Sequence, residues 1–203
     1  MRTFVRLTVV FGWLVTLSCS AFALNLGDIQ KELSDADVIS ARFEMIKRSQ
    51  VVGVPLLSQG KVVLVRDKGL LWTMTDPFAE TLGFSEKKRG RTDDLGRWQV
   101  EENKTLGIVT ETMDKVLKGD FAFLSDRFFI EIDGSRENWR VLATPKAGNA
   151  KEWISEVLVT GARHISRVQI VMKDATVTEI IFEDAKDNPE INEDDRRLLE
   201  GLQ

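Results

Sequence analysis

His164 is the only histidine in the 203 residues, and Cys19 the only cysteine. An imidazole moves protons near neutral pH or ligates a metal, but either use needs partners. No second His or Cys is present to complete a zinc set with His164, which reads as a structural or surface histidine. Carboxylates are more plentiful. Asp184, Asp187, Glu190, Glu193, Asp194 and Asp195 form an acidic run that invites comparison with a calcium loop. The run lacks the alternating oxygen ligands and central glycine of an EF-hand. It reads better as a solvated loop with carboxylates at a helix N-terminus. Asp93-Asp94 and Glu101-Glu102 are the nearest thing to an acid–base pair, yet neighbours in a strand or turn point apart. No G-x-S-x-G, H-E-x-x-H, phosphate loop or G-x-G-x-x-G occurs. The chain is read as non-enzymatic, with no catalytic residue, no metal and no cofactor.

What remains is apolar, and it is organised around Val54–Pro77. This stretch predicts a β-hairpin. Its first strand, Ser58–Arg66, is dense in β-branched residues, and Asp67-Lys68-Gly69 makes the turn, where Gly69 can take a positive φ. The second strand alternates, with Leu70, Trp72 and Met74 on one face and Leu71, Thr73 and Thr75 on the other. Pro77 cannot donate to a ladder and stops it. Around the hairpin, Leu26–Asp37 has helical spacing and Asn25 or Asp28 to cap it. Val38–Val51 alternates with Phe43 and Met45 on one face. Ala79–Lys88 and Trp98–Glu101 predict strands on either side of a charged turn, Lys87–Asp94. Thr105–Gly119 predicts a second helix carrying Val109, Met113, Val116 and Leu117, ended by Gly119. Strand periodicity returns at Arg127–Asp133, with Phe128 and Ile130, and at Trp139–Thr144, Glu152–Thr160, His164–Lys173 and Ala175–Phe182. Nine or ten strands in hairpin order with two helices predict a mainly β (α+β) fold. It is a curled antiparallel sheet, an incomplete barrel with a helical lid over an apolar concave face.

The domain is bounded on both sides. Residues 1–23 carry Arg2 and Arg6, the apolar run Leu7–Leu17 and an Ala21-Phe22-Ala23 site, the pattern of a cleaved Sec-type signal peptide. Residues 24–182 form the sheet domain, and 183–203 an acidic loop and C-terminal helix. Of 28 basic and 32 acidic residues, cleavage removes two Arg and no acid, leaving net −6. Such a charge disfavours nucleic acid and repels anionic lipid surfaces. Export would place the mature chain outside the cytoplasm.

Phe43, Met45, Leu70, Trp72, Met74, Val109, Met113, Val116, Leu117, Phe128 and Ile130 would share the concave face. An ordinary sheet-on-helix core is one reading of them. Met and Trp, however, adapt to irregular ligands, and two helices leave part of a ten-strand face under-filled. The residues also carry a resemblance. Phe43, Pro55-Leu56, Ser58, Gly60, Arg66, Leu70, Trp72 and Pro77, with Leu142 and Thr144-Pro145-Lys146, are similar to the pattern of the LolA family of periplasmic lipoprotein carriers. The resemblance implies a half-open barrel whose cavity holds acyl chains. It places the cavity pair on Leu70 and Trp72, and a lid-gating base on Arg66. It implies a monomer that takes an acylated cargo, lipoprotein or lipid, from an inner-membrane exporter to an outer-membrane acceptor. Asp67 stands where the family has proline, and the acidic C-terminal extension departs from it as well. Both point to a divergent branch, for which a lipid other than a lipoprotein is an alternative cargo. The alternative is a protein-binding or sensory module that uses an edge of the same sheet.

Overall fold

The computed structural model describes residues 24–33, 35–93, 96–100 and 115–203. Eleven antiparallel strands form one sheet in the order β6-β5-β4-β3-β2-β1-β11-β10-β9-β8-β7. They are β1 (Val38–Arg48), β2 (Leu56–Val65), β3 (Gly69–Asp76), β4 (Glu80–Phe84), β5 (Arg89–Thr92), β6 (Trp98–Val100), β7 (Phe128–Ser135), β8 (Asn138–Pro145), β9 (Ile154–Gly161), β10 (Ile165–Met172) and β11 (Val177–Asp187). Among the described residues, four short helices accompany them: α1 (Leu26–Leu33), α2 (Phe121–Arg127), α3 (Asn149–Trp153) and α4 (Glu193–Glu200), with residues 115–117 also helical.

The sheet curls on itself. Leu82 and Phe84 of β4 and Phe128 and Ile130 of β7 stand near opposite ends of the strand order, yet they join one apolar cluster. Among the described residues, its two end strands, β6 and β7, pair with different neighbours and leave the barrel open.

The central hairpin forms as its residues demand. Val65 pairs with Gly69, whose φ is +138°. A Cβ on Gly69 would lie 2.3 Å from the carbonyl oxygen of Phe84, so the position has no room for a side chain.

Four segments depart from the periodic reading. Arg89–Thr92 is a strand rather than part of a charged turn. Phe121–Arg127 and Asn149–Trp153 are helices. The last strand does not end at Phe182 but runs to Asp187. The reason is a β-bulge. Ser40 pairs with Lys186 and Arg42 with Glu183, so two residues oppose Ala41, and Asp184 takes φ +52°. The extra residue breaks the alternation that a strand is recognised by. The segment 183–203 therefore divides near Asn188, whose side-chain oxygen accepts from the backbone N–H groups of Asp37 and Val38.

Candidate functional site

Alternation along β1, β3 and β7 turns Phe43, Met45, Leu70, Trp72, Met74, Phe128 and Ile130 to the concave side, where they join one cluster with Val116 and Leu117. Val109 and Met113 lie outside the described residues. At the centre is a ring stack. The Trp72 and Phe43 centroids are 4.3 Å apart, and Phe182 meets Trp72 edge-on at 6.0 Å. Trp72 is 7% exposed, so at this point the face is filled rather than under-filled. The space beside it is a recess of about 40 Å³ lined in part by Leu33, Val62, Leu117, Ile165 and Phe182, room for about one water.

The face grades into open space at one end. Met45 and Met74 are only half buried. Beside Met74 lies a cleft of about 510 Å³, bordered by Ser58, Phe78, Glu80, Arg91 and Gln99. Its volume is in the usual range for small-molecule sites, and its walls mix polar and apolar groups.

The cover is made of short helices held by packing. Asn25 and Asp28 cap α1 reciprocally, each side-chain oxygen accepting the other's backbone N–H at 3.0 and 3.3 Å. Ile29 and Leu33 of α1, Val116 of the helical turn 115–117 and Leu124 of α2 are buried side chains of this layer. Gly119 turns the chain with φ +67°, and a Cβ there would sit 3.2 Å from Leu33 Cβ. Asp120 caps α2 at the backbone N–H of Phe123 and accepts an ion pair from Lys115 at 3.0 Å. Helices of seven or eight residues are marginal alone, so their stability comes from the face they cover.

Arg66 follows β2 directly. One guanidinium nitrogen donates to the carbonyl of Ala36, in the link from α1 to β1, at 2.8 Å. Its backbone N–H donates to Asp37 at 2.9 Å. The buried Nε has no acceptor among the described residues.

His164 is not isolated. Its Nε2 lies 2.7 Å from Asp187, and Arg163 grips the other oxygen of that carboxylate through two N–H groups at 2.6 and 2.9 Å. The His164 hydrogen bond, aided by Arg163 and opposed by desolvation, holds the Asp187 carboxyl below the usual carboxylate range. A carboxyl with a folded pKa below its unfolded value stabilises the fold above the unfolded pKa, about 3.9. That contribution is lost as pH falls through the lower folded value. Asp187→Asn should therefore lower the urea midpoint at pH 6, and the difference from the parent should vanish at the acid end of a pH 6 to 2 series. A difference independent of pH would assign the residue to packing. Among the described residues, no group of three or more His, Cys, Asp or Glu side chains converges as a metal site.

The periodic reading missed a second apolar layer, on the convex side. Val63, Val65 and Leu71 are buried there under Leu199 and Leu202 of the C-terminal segment. Asn192 caps α4, and the acids Glu193, Asp194 and Asp195 sit in its first turn, where the helix dipole favours them. Asp195 is buried and receives Lys61 Nζ at 2.7 and 2.9 Å. Carbonyls near the C-terminal end of α4 also find donors. Trp98 Nε1 reaches Leu198, Lys88 Nζ reaches Gly201, and Ser85 Oγ reaches Leu202. A signal was present in the sequence: Val62-Val63-Leu64-Val65 is a continuous apolar run, the mark of a strand covered on both faces.

A family model described as outer membrane lipoprotein carrier protein LolA-like matches residues 18–171. The chain belongs to the LolA-like family. Solved structures are similar to it at low identity. A DUF1329 family protein from Desulfovibrio piger shares 10% identity over 88% of this chain and 96% of its own, with a TM-score of 0.49. A LolA superfamily protein from Nitrosomonas europaea shares 10% over 83% and 96%, with a TM-score of 0.46. MucB of Pseudomonas aeruginosa, solved in complex with MucA, shares 11% over 84% of this chain and 59% of that one, with a TM-score of 0.48. No curated protein matches the chain. The mainly antiparallel sheet with a few short helices is the LolA-like fold.

Proposed function

We propose that this LolA-like protein is a non-enzymatic periplasmic carrier that holds the acyl chains of a lipid or lipoprotein against its concave face. The observation that carries the reading is a continuous apolar face under a cover of short helices, grading at Met74 into a cleft of about 510 Å³. Family membership agrees with it.

Magnitudes favour exchange of cover for cargo. Lifting the helices exposes Ile29, Leu33, Val116 and Leu124, a cost of roughly 6–12 kcal/mol at about 1.5–3 kcal/mol per large side chain. About a dozen acyl CH₂ groups, at about 0.8 kcal/mol each, offset that. An acyl chain of ordinary length can therefore displace the cover, whereas a small apolar molecule cannot. Arg66 holds the cover's trailing link through Ala36 and is proposed as its gate. Arg66→Leu should slow release or loading of a fatty-acid probe in stopped flow. Wild-type rates both ways would remove Arg66 from the mechanism.

Native mass spectrometry of protein purified from its own periplasm tests the function. An added lipid or lipopeptide mass is expected. An empty chain that co-purifies with a protein at a sheet edge would replace the carrier with the binding-module reading.

A further inference from the structure

Antiparallel pairing sends alternate connections to the same end of the sheet. The β1–β2, β3–β4, β5–β6, β8–β9 and β10–β11 connections and the start of β7 share one end. Eight large apolar side chains are exposed among the described residues, and all lie there. Val51, Val52, Val54, Leu56 and Leu57 form the tip and root of the β1–β2 hairpin, and Phe78 projects from the β3–β4 turn at 80% exposure. Phe129 and Trp153 stand on the other side of the same end.

Charge is distributed in the same sense. The chain is acidic, yet Met45–Arg66 contains no acid. Lys47 and Arg48, both exposed, root the apolar tip, Arg48 paired with Glu179 at 3.4 Å, and Lys173 lies in the neighbouring β10–β11 turn. Lys146 and Lys151 are exposed on the β8–β9 connection. Of the acids at this end, Glu80 pairs with Arg91, Asp93 with Arg97 and Glu179 with Arg48 and Arg167, while Asp76 and Glu152 are exposed. Asp174 accepts from the backbone of Thr176. The mouth of the concave face also opens here, since Ser58, Met74 and Phe78 border its cleft.

We propose that this end docks on a lipid bilayer. The β1–β2 tip and Phe78 enter the boundary between headgroups and acyl chains, with Lys47 against anionic headgroups. A protruding aliphatic tip with a basic root and aromatic neighbours matches an interface that has depth but no shape. At the tip itself, Lys47 in an acid-free stretch lessens the repulsion that net charge alone would give. Docking sets the cleft mouth at the membrane surface, so an acyl chain passes between bilayer and sheet without crossing water. The proposal rests on the carrier reading for its purpose, but its test does not.

Flotation with phosphatidylethanolamine–phosphatidylglycerol vesicles measures docking. A fatty-acid probe in vesicle-free buffer measures the cavity separately. The full chain should float with the vesicles. The double variant Val51→Asp, Leu57→Asp should partition on the order of tenfold less. Its urea midpoint and probe affinity should be unchanged, because both side chains are largely exposed. Lys47→Glu should weaken binding to these vesicles about fivefold or more while leaving neutral phosphatidylcholine vesicles unaffected. Parent protein that binds the probe but ignores vesicles would overturn docking and leave the carrier standing. Equal flotation of parent and double variant would overturn it too. Flotation without probe binding would keep the docking surface and remove the carrier.

Discussion

Ending the chain at Asn188 should lower stability by about 5 kcal/mol, enough to abolish cooperative folding in many domains of this size. The deletion removes α4 and with it the cover over Val63, Val65 and Leu71. The helix's own burial of Leu199 and Leu202 is balanced by the entropy of ordering its residues, so the net loss falls on the sheet. Three large side chains returned to water at about 1.5–3 kcal/mol each set the scale. Lys61 would also lose the buried carboxylate of Asp195. Trp98, Lys88 and Ser85 would lose acceptors. Urea unfolding of the shortened chain checks this, with Leu199→Ala as the milder companion, expected at about 2–5 kcal/mol. An unchanged midpoint in both would make the C-terminal segment a loose appendage.

Trp72→Ala should cost about 3–5 kcal/mol, the figure for a filled core. An under-filled pocket would give a smaller loss, because fewer atoms touch the ring. The filled value follows from 7% exposure and from two ring neighbours, Phe43 at 4.3 Å and Phe182 at 6.0 Å. Such pairs add about 0.5–1.5 kcal/mol beyond the area they bury. If cargo replaces the helical cover on this face, probe affinity must fall as well, by about 0.8 kcal/mol for each CH₂ that loses its contact. Urea melts and a fatty-acid titration on the same variant separate the cases. Lost stability with unaltered probe binding would reduce the face to an ordinary core.

Much of this was legible in the sequence, and the reasons are specific. Period-two alternation put Leu70, Trp72 and Met74 on one face and Leu71 on the other, and the structure separates them into two layers accordingly. Asn25 and Gly119 marked helix boundaries because capping and a positive φ have strong residue preferences. Arg89-Gly90-Arg91-Thr92 was illegible as a strand because it has no apolar alternation; it is held by the ladders of β4 and β6. The convex layer was hidden for another reason. Alternation says which residues share a face, but not that a segment more than a hundred residues later will cover it. Gly83 records that event, since a Cβ there would lie 2.2 Å from the Trp98 ring and 2.9 Å from Leu202.

The second apolar layer makes the sheet mechanically unequal. From β1 to β6 it is braced on both faces, by the concave core and by α4 with Trp98. From β7 to β10 the convex side carries exposed residues such as Glu131, Asp133, Arg140 and Arg167, and among the described residues only one face is braced. The two halves therefore behave as a fixed jaw and a compliant one. Any widening of the barrel to admit a guest strains the compliant jaw first, while β2 and β3 keep their register. Amide exchange should trace that division, slowest in Val62–Val65 and Leu70–Trp72, fastest along β7 and β8.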